Sequence, residues 1–261
     1  MLRPNLVISF LVLFLLSSSL SAKVVHEAVA YKDGDVTLNG HIFYDDSIQG
    51  KRPGVLVIHE WWGLNDYAKK RAEMLAEMGY VAFAADMYGD NKVTKHAKDA
   101  KGWMMQITSN VDGWRKRASL GLDVLMNHKL TDSTQTAAIG YCFGGATVMQ
   151  MAYAGSDVKG VVSFHGSLPP AKPEQANNIS TEILVAHGNA DPFVPAEKVA
   201  KFKNALDSAG VKYDFRGYDG AKHAFTNVDA GNYGIAALAY DENADMKSWQ
   251  AMQEFFGKIF K

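Results

Sequence analysis

The 261-residue chain reads as an α/β protein with a mostly parallel central sheet and helices on both faces. Three observations predict this. Short apolar runs of strand length alternate with segments whose apolar residues recur at helical spacing, the pattern of consecutive βαβ units. One run, Val55-Leu56-Val57-Ile58, is apolar without interruption, as in a strand buried on both faces of a sheet. The composition, 48% hydrophobic and 21% charged, is that of an ordinary globular chain and excludes a disordered or polytopic membrane protein.

In chain order, Val36 to Tyr44 and Pro53 to His59 are predicted strands. A helix is predicted from about Asp66, because Ala68, Ala72, Leu75, Ala76 and Met78 share one face and Gly79 sits where a helix stops. Tyr80 to Ala85 is the next strand and completes a βαβ unit. Lys95 to Thr108 and Asp112 to Leu130 read as helices, the second ending in basic residues that suit a helix C-terminus. The sheet then resumes with strands at Gln135 to Tyr141, Val158 to Phe164, Glu182 to His187 and Lys212 to Tyr218. Helices are expected at Gly144 to Ala154, Pro195 to Ala209 and Met246 to Phe260. The segment Gly166 to Ser180, with Pro169, Pro170 and Pro173, is a loop-like insert that serves either as a rim or lid or as a plain surface excursion.

Residues 1–22 stand apart. Met1-Leu2-Arg3, an apolar run from Leu6 to Leu16 and small residues from Ser17 to Ala22 have the order of a secretory signal. Cleavage is expected after Ser21 or Ala22, leaving 23–261 as one α/β domain that is periplasmic or secreted. The alternative, an uncleaved anchor, fits less well because the run falls short of the roughly 20 residues a span needs. No stable membrane association is expected after cleavage. A net charge of -1 with no block of Lys or Arg excludes the electrostatic footprint of a nucleic-acid binder, so the partner is a small molecule and the mature chain is expected to be a monomer. The one cysteine, Cys142, cannot form an intramolecular disulfide, and a lone cysteine is commonly a small buried hydrophobe.

Its neighbours argue otherwise. Gly140-Tyr141-Cys142-Phe143-Gly144-Gly145 joins a strand to a helix through a turn so tight that only glycines fit beside the central residue, the elbow that exposes a nucleophile. Sulfur there sits at a helix N-terminus, which favours thiolate, and the backbone N–H of Phe143 points where an oxyanion would form. About fifty residues on, a strand ends in Gly188-Asn189-Ala190-Asp191-Pro192, and a later one leads to Gly220-Ala221-Lys222-His223-Ala224-Phe225. Nucleophile, acid and histidine in that order, each just past a strand, is the arrangement of the α/β-hydrolase fold. Read singly, Asp191 is a turn residue and His223 a loop histidine; together they make the triad Cys142, Asp191 and His223. A second oxyanion donor is expected from the backbone N–H of Trp61, and Trp61 and Tyr88 are the expected substrate-binding aromatics. His59, His165 and His187 end apolar strands and are weaker candidates for lining the site. None has metal-ligand spacing, so no metal or cofactor is expected.

The segments His59-Glu60-Trp61-Trp62-Gly63, Asp86-Met87-Tyr88, Gly140 to Gly145, Asp191-Pro192-Phe193-Val194-Pro195 and Gly220 to Phe225 resemble dienelactone hydrolases, in order and over most of the chain. The resemblance implies a cysteine hydrolase of α/β-hydrolase fold that acts on lactones or small carboxylic esters through an acyl-thioester. It also implies a catalytic role for Glu60, whose family counterpart contacts the resting thiol and helps generate the thiolate. The arginines with which dienelactone-cleaving members hold the substrate carboxylate are replaced at the matching positions by Asp90 and Asn227, neither of which offers a bidentate charged contact. A thioesterase or sugar-ester esterase using the same triad, and a non-catalytic binding protein on the same fold, are the competing expectations.

Overall fold

A computed structural model describes residues 24–261; the expected export segment, 1–22, lies outside the described residues. Eight strands form one sheet in the order β1-β2-β4-β3-β5-β6-β7-β8. They are β1 (Val24–Asp33), β2 (Val36–Asp45), β3 (Arg52–Ile58), β4 (Val81–Ala85), β5 (Thr131–Tyr141), β6 (Gly160–Phe164), β7 (Glu182–Gly188) and β8 (Asp214–Tyr218). β1 with β2 and β2 with β4 are antiparallel, whereas every pair from β4 through β8 is parallel. This is the α/β-hydrolase fold.

Parallel pairing demands crossovers, and the helices supply them. α1 (Asp66–Glu77) starts at Asn65, whose side chain caps the Ala68 N–H, and buries Ala68, Ala72, Leu75 and Ala76 against the sheet. α2 (Ala97–Thr108) and α3 (Val111–Met126) follow β4, and α4 (Phe143–Tyr153), buried along its whole length, leaves the end of β5. α5 (Pro173–Ala176) is a single turn, and α6 (Ala196–Asp207) and α7 (Glu242–Ile259) complete the layers. Two apolar cores result, one on each face: Leu56, Phe83, Phe143, Val161 and Phe202 on one side, Val57, Ile139, Phe164, Leu184 and Phe256 on the other. Alternate residues of one strand feed opposite cores, as period-two geometry requires.

Several boundaries differ from the sequence reading for identifiable reasons. The helix expected to run to Leu130 stops at Met126, because Asn127 caps it and hydrogen bonds from His128 N–H to Leu125 and from Thr131 N–H to His128 turn the chain into β5. α7 begins a turn earlier than expected, at Glu242, where the Asp241 side chain caps the Ala244 N–H. The proline-bearing insert is tied down: Leu168, Ala171 and Ala176 are buried, and the Tyr153 hydroxyl donates to the Pro169 carbonyl at 2.7 Å.

α1 and α7 are fastened by a buried ion pair, Arg71 to Asp245 at 2.7 Å, and Arg71 also donates to the Thr226 carbonyl. Removing one partner strands the other charge, so Arg71→Ala is expected to cost about 3–5 kcal/mol. Urea unfolding of the variant beside the parent measures it.

Candidate active site

β5 delivers Cys142 to the C-terminal edge of the sheet in a left-handed backbone conformation, φ 54° and ψ -110°, directly before the first residue of α4. Neighbouring glycines make the turn possible. A Cβ on Gly140 would lie 2.1 Å from the Gly144 carbonyl oxygen, and one on Gly144 would lie 2.2 Å from that of Ile58. The Cys142 N–H is shared between the Phe164 carbonyl at 3.0 Å and His165 Nδ1 at 3.2 Å. Cys142 itself is partly exposed.

His223 and Asp191 arrive on the loops after β8 and β7. His223 Nδ1 lies 2.7 Å from Asp191 Oδ2, and the other carboxylate oxygen accepts the Phe193 N–H at 2.8 Å, which fixes the acid's orientation. Both side chains are buried. Burial disfavours the His223 imidazolium, but the neighbouring Cys142 and the hydrogen bond to Asp191 outweigh it and raise the pKa to about 10. The three residues singled out in the sequence therefore meet at one place.

Glu60 and Trp61 follow β3. Phe143 opens α4, so its N–H has no acceptor within the helix. Among the described residues, no loop or turn backbone acceptor is paired with the N–H of Trp61 or of Phe143. The Tyr88 hydroxyl donates to the Trp61 carbonyl at 3.0 Å, and the Tyr88 ring stacks on Phe143 with centroids 5.7 Å apart. Tyr88 is buried, so its placement is that of a brace on the Trp61 peptide as much as of a contact for substrate. Phe193, one of the aromatics that the sequence places near these loops, stands edge-on to His223 at 5.2 Å and is 44% exposed.

Glu60 is fully enclosed, and its Oε2 accepts from Asn227 Nδ2 at 2.7 Å. The resemblance puts this carboxylate against the thiol; its hydrogen-bond partner here is the residue that stands in place of a family arginine. Burial pushes the Glu60 carboxyl up to about 7, against the hydrogen bond from Asn227 and the positive charges of His223 and Arg71. The other replaced position, Asp90, is exposed, pairs with Lys92 at 3.3 Å and borders a recess of about 280 Å³ with Tyr88, Trp103, Ile107 and Arg117. A more polar groove of about 660 Å³ between β8 and α7, lined by Arg216, Asp219, Lys247 and Glu254 among others, contains none of the cluster.

The remaining histidines divide. His59 is a structural tie, its Nε2 accepting the Met87 N–H at 3.2 Å while Nδ1 meets the Glu60 carbonyl. His187 lies in the wall beneath, tilted against Phe215. His165, by contrast, touches the backbone of Cys142. No group of three or more metal-ligating side chains is found among the described residues.

A family model described as the dienelactone hydrolase family matches residues 38–260. A protein from Aquifex pyrophilus, named protein usf, is 30% identical over 209 residues, 78% of this chain and 87% of its own length. A dienelactone hydrolase-like promiscuous phosphotriesterase from metagenomic libraries has a structure that superposes with a TM-score of 0.89 at 37% identity, over 92% of this chain and 100% of that one. A second structure, named m3DLH, gives 0.88 at 36% identity over 91% and 99%.

The Glu60 shift has a consequence for stability. A carboxyl whose pKa rises from 4.5 to about 7 on folding binds more protons folded than unfolded between those values, so its ionisation costs stability as pH rises through that window. Glu60→Gln keeps an acceptor for Asn227 and removes the ionisation. Its Tm relative to the parent is expected to be unchanged below about pH 4.5 and higher above pH 7, by the equivalent of about 3 kcal/mol. Thermal unfolding at pH 4.5, 6 and 8 reads the difference.

Proposed function

Since the chain belongs to the dienelactone hydrolase family and is a lactone or ester hydrolase, we propose that Cys142 is its nucleophile, His223 its acid–base and Asp191 the group that orients His223. The observation that carries this reading is the convergence of a helix-capping cysteine, a histidine with a raised pKa and a buried carboxylate at the C-terminal edge of one sheet.

The cycle follows from those positions. The Cys142 thiolate adds to the substrate carbonyl, and the charge that develops on oxygen is received by the N–H groups of Phe143 and Trp61. The His223 imidazolium protonates the leaving alkoxide as the C–O bond breaks, leaving an acyl-thioester and a neutral imidazole. That imidazole then takes a proton from water, whose oxygen attacks the thioester, and the tetrahedral adduct expels the thiolate, leaving a carboxylic acid that releases its own proton to solvent, with the thiolate and imidazolium restored. Asp191 holds the ring in the required tautomer throughout. A thiolate is a good leaving group, so a tetrahedral adduct with an amide tends to expel sulfur, whereas esters and lactones expel oxygen; this ranks them above peptides. Acyl-thioesters and sugar esters are the competing acyl donors for the same residues. Glu60, enclosed beside this pair and titrating near neutrality, is the group placed to modulate the thiolate.

Asp90 and Asn227 set the substrate class. With an acidic side chain at the first position and a buried neutral amide at the second, nothing there pairs with a substrate carboxylate, and neutral esters or lactones are favoured over dienelactone itself. The metagenomic relative's description as a promiscuous phosphotriesterase adds neutral phosphotriesters as a second class, equally free of an anionic group. The order of residues 1–22 supports export, with the enzyme acting in the periplasm or outside the cell as a single domain over 23–261.

Hydrolysis of 4-nitrophenyl acetate by the mature protein tests the assignment. Cys142→Ala and His223→Ala are each expected to lower kcat by a thousandfold or more, on the order seen when a nucleophile or its base is removed. Parental rates in the Cys142 variant would refute the mechanism.

A further inference from the structure

Three non-glycine residues around the cluster adopt left-handed backbone conformations: Cys142 at φ 54°, His165 at φ 40° and Ala224, next to His223, at φ 58°. Such conformations each cost on the order of 1–3 kcal/mol and persist only where surrounding contacts over-determine them. One buried side-chain chain links all three segments. His165 Nδ1 accepts the Cys142 N–H, and Nε2 lies 2.7 Å from Thr226 Oγ1, three residues beyond His223 on the same loop. Thr226 Oγ1 in turn lies 2.5 Å from the Tyr67 hydroxyl on α1. Because Nδ1 accepts, Nε2 carries the proton and donates to Thr226. Burial, with the positive charges of His223 and Arg71, holds the His165 pKa well below its ordinary value, so the accepting nitrogen stays free of a proton. The His165 ring also stands edge-on to His223, with centroids 5.3 Å apart.

We propose that His165 and Thr226 are positioning residues for the hydrolase, a rigid strut that spans from the nucleophile's backbone amide to the loop of His223 and sets the distance between sulfur and imidazole. The strut touches neither the carbonyl nor the leaving group. It acts through Cys142 and His223, and thus rests on the reading of those residues as nucleophile and base. The backbone bond from Cys142 N–H to Phe164 holds the elbow from the β6 side alone; the His165–Thr226 bond couples it to the loop of His223.

The test compares four variants with the parent by kcat and KM on 4-nitrophenyl acetate and by the second-order rate of Cys142 alkylation by iodoacetamide. Asn at position 165 presents an oxygen where Nδ1 stood, keeping the acceptor for Cys142 while falling short of Thr226. His165→Asn and Thr226→Val are each expected to lower kcat and the alkylation rate about ten- to a hundredfold with KM unchanged, the scale of a displacement of about 1 Å. The double variant is expected to be no slower than either single, since both cut one link. Thr226→Ser, which keeps the hydroxyl, is expected to retain parental rates. Parental rates in Thr226→Val, an equal loss in Thr226→Ser, or multiplied losses in the double variant would each overturn the strut. Alkylation that follows the expected pattern in a parent that cleaves no ester would uphold the strut and refute the hydrolase reading.

Discussion

The chemistry depends first on the backbone of Cys142 standing at φ 54°, where a side chain other than glycine's is rarely tolerated. That one torsion turns β5 into α4 within a single residue and leaves Cys142 at the N-cap position of the helix. It is held in place by close packing. Gly140 touches the backbone of Gly144, Gly144 that of Ile58, and Gly145 the backbone of Gly166, so three strands' ends and one helix are locked around the turn. The strain at Cys142 is stored by a neighbourhood with no room to relax it.

The same enclosed region treats three ionisable groups in three ways. His223 is buried but its pKa is raised because Cys142 and the Asp191 carboxylate face it. Glu60 is equally enclosed, with a neutral amide as its hydrogen-bond partner, and titrates near pH 7. His165, hydrogen-bonded at both nitrogens and repelled by cations, is kept neutral. Burial acts on all three; what differs is the charge of the nearest partner, which outweighs desolvation at His223 and fails to do so at the other two.

Much of this could be read from the residues in order. The continuous apolar runs of β3, β4, β6 and β7 predict buried parallel strands because both faces of the sheet are covered. Cys142, Asp191 and His223 are legible because each follows a strand of the sheet, β5, β7 and β8, and a parallel sheet brings the loops after its strands to one edge. β1 escaped the sequence reading because it is an edge strand with half its side chains in water and little apolar alternation. The His165–Thr226 bond is invisible for another reason: it joins residues 61 positions apart whose proximity depends on strand order, which no local pattern encodes. The one clue is position, since His165 directly follows the strand that neighbours the one leading to Cys142. Asn227 was noticed only as a missing arginine; its hydrogen bond to Glu60 requires knowing that its loop folds back over the end of β3.

These features describe one device: a cysteine held in strain at a sheet edge, beside a histidine that is itself held by a carboxylate. Its most direct consequence is covalent. Mass spectrometry of the protein rapidly acid-quenched during turnover of 4-nitrophenyl acetate, followed by peptide mapping, reports where the acyl group goes. The account predicts one acetyl group on Cys142 that disappears as substrate is exhausted. Acetyl carried at a different residue during turnover, with Cys142 unmodified, would contradict it.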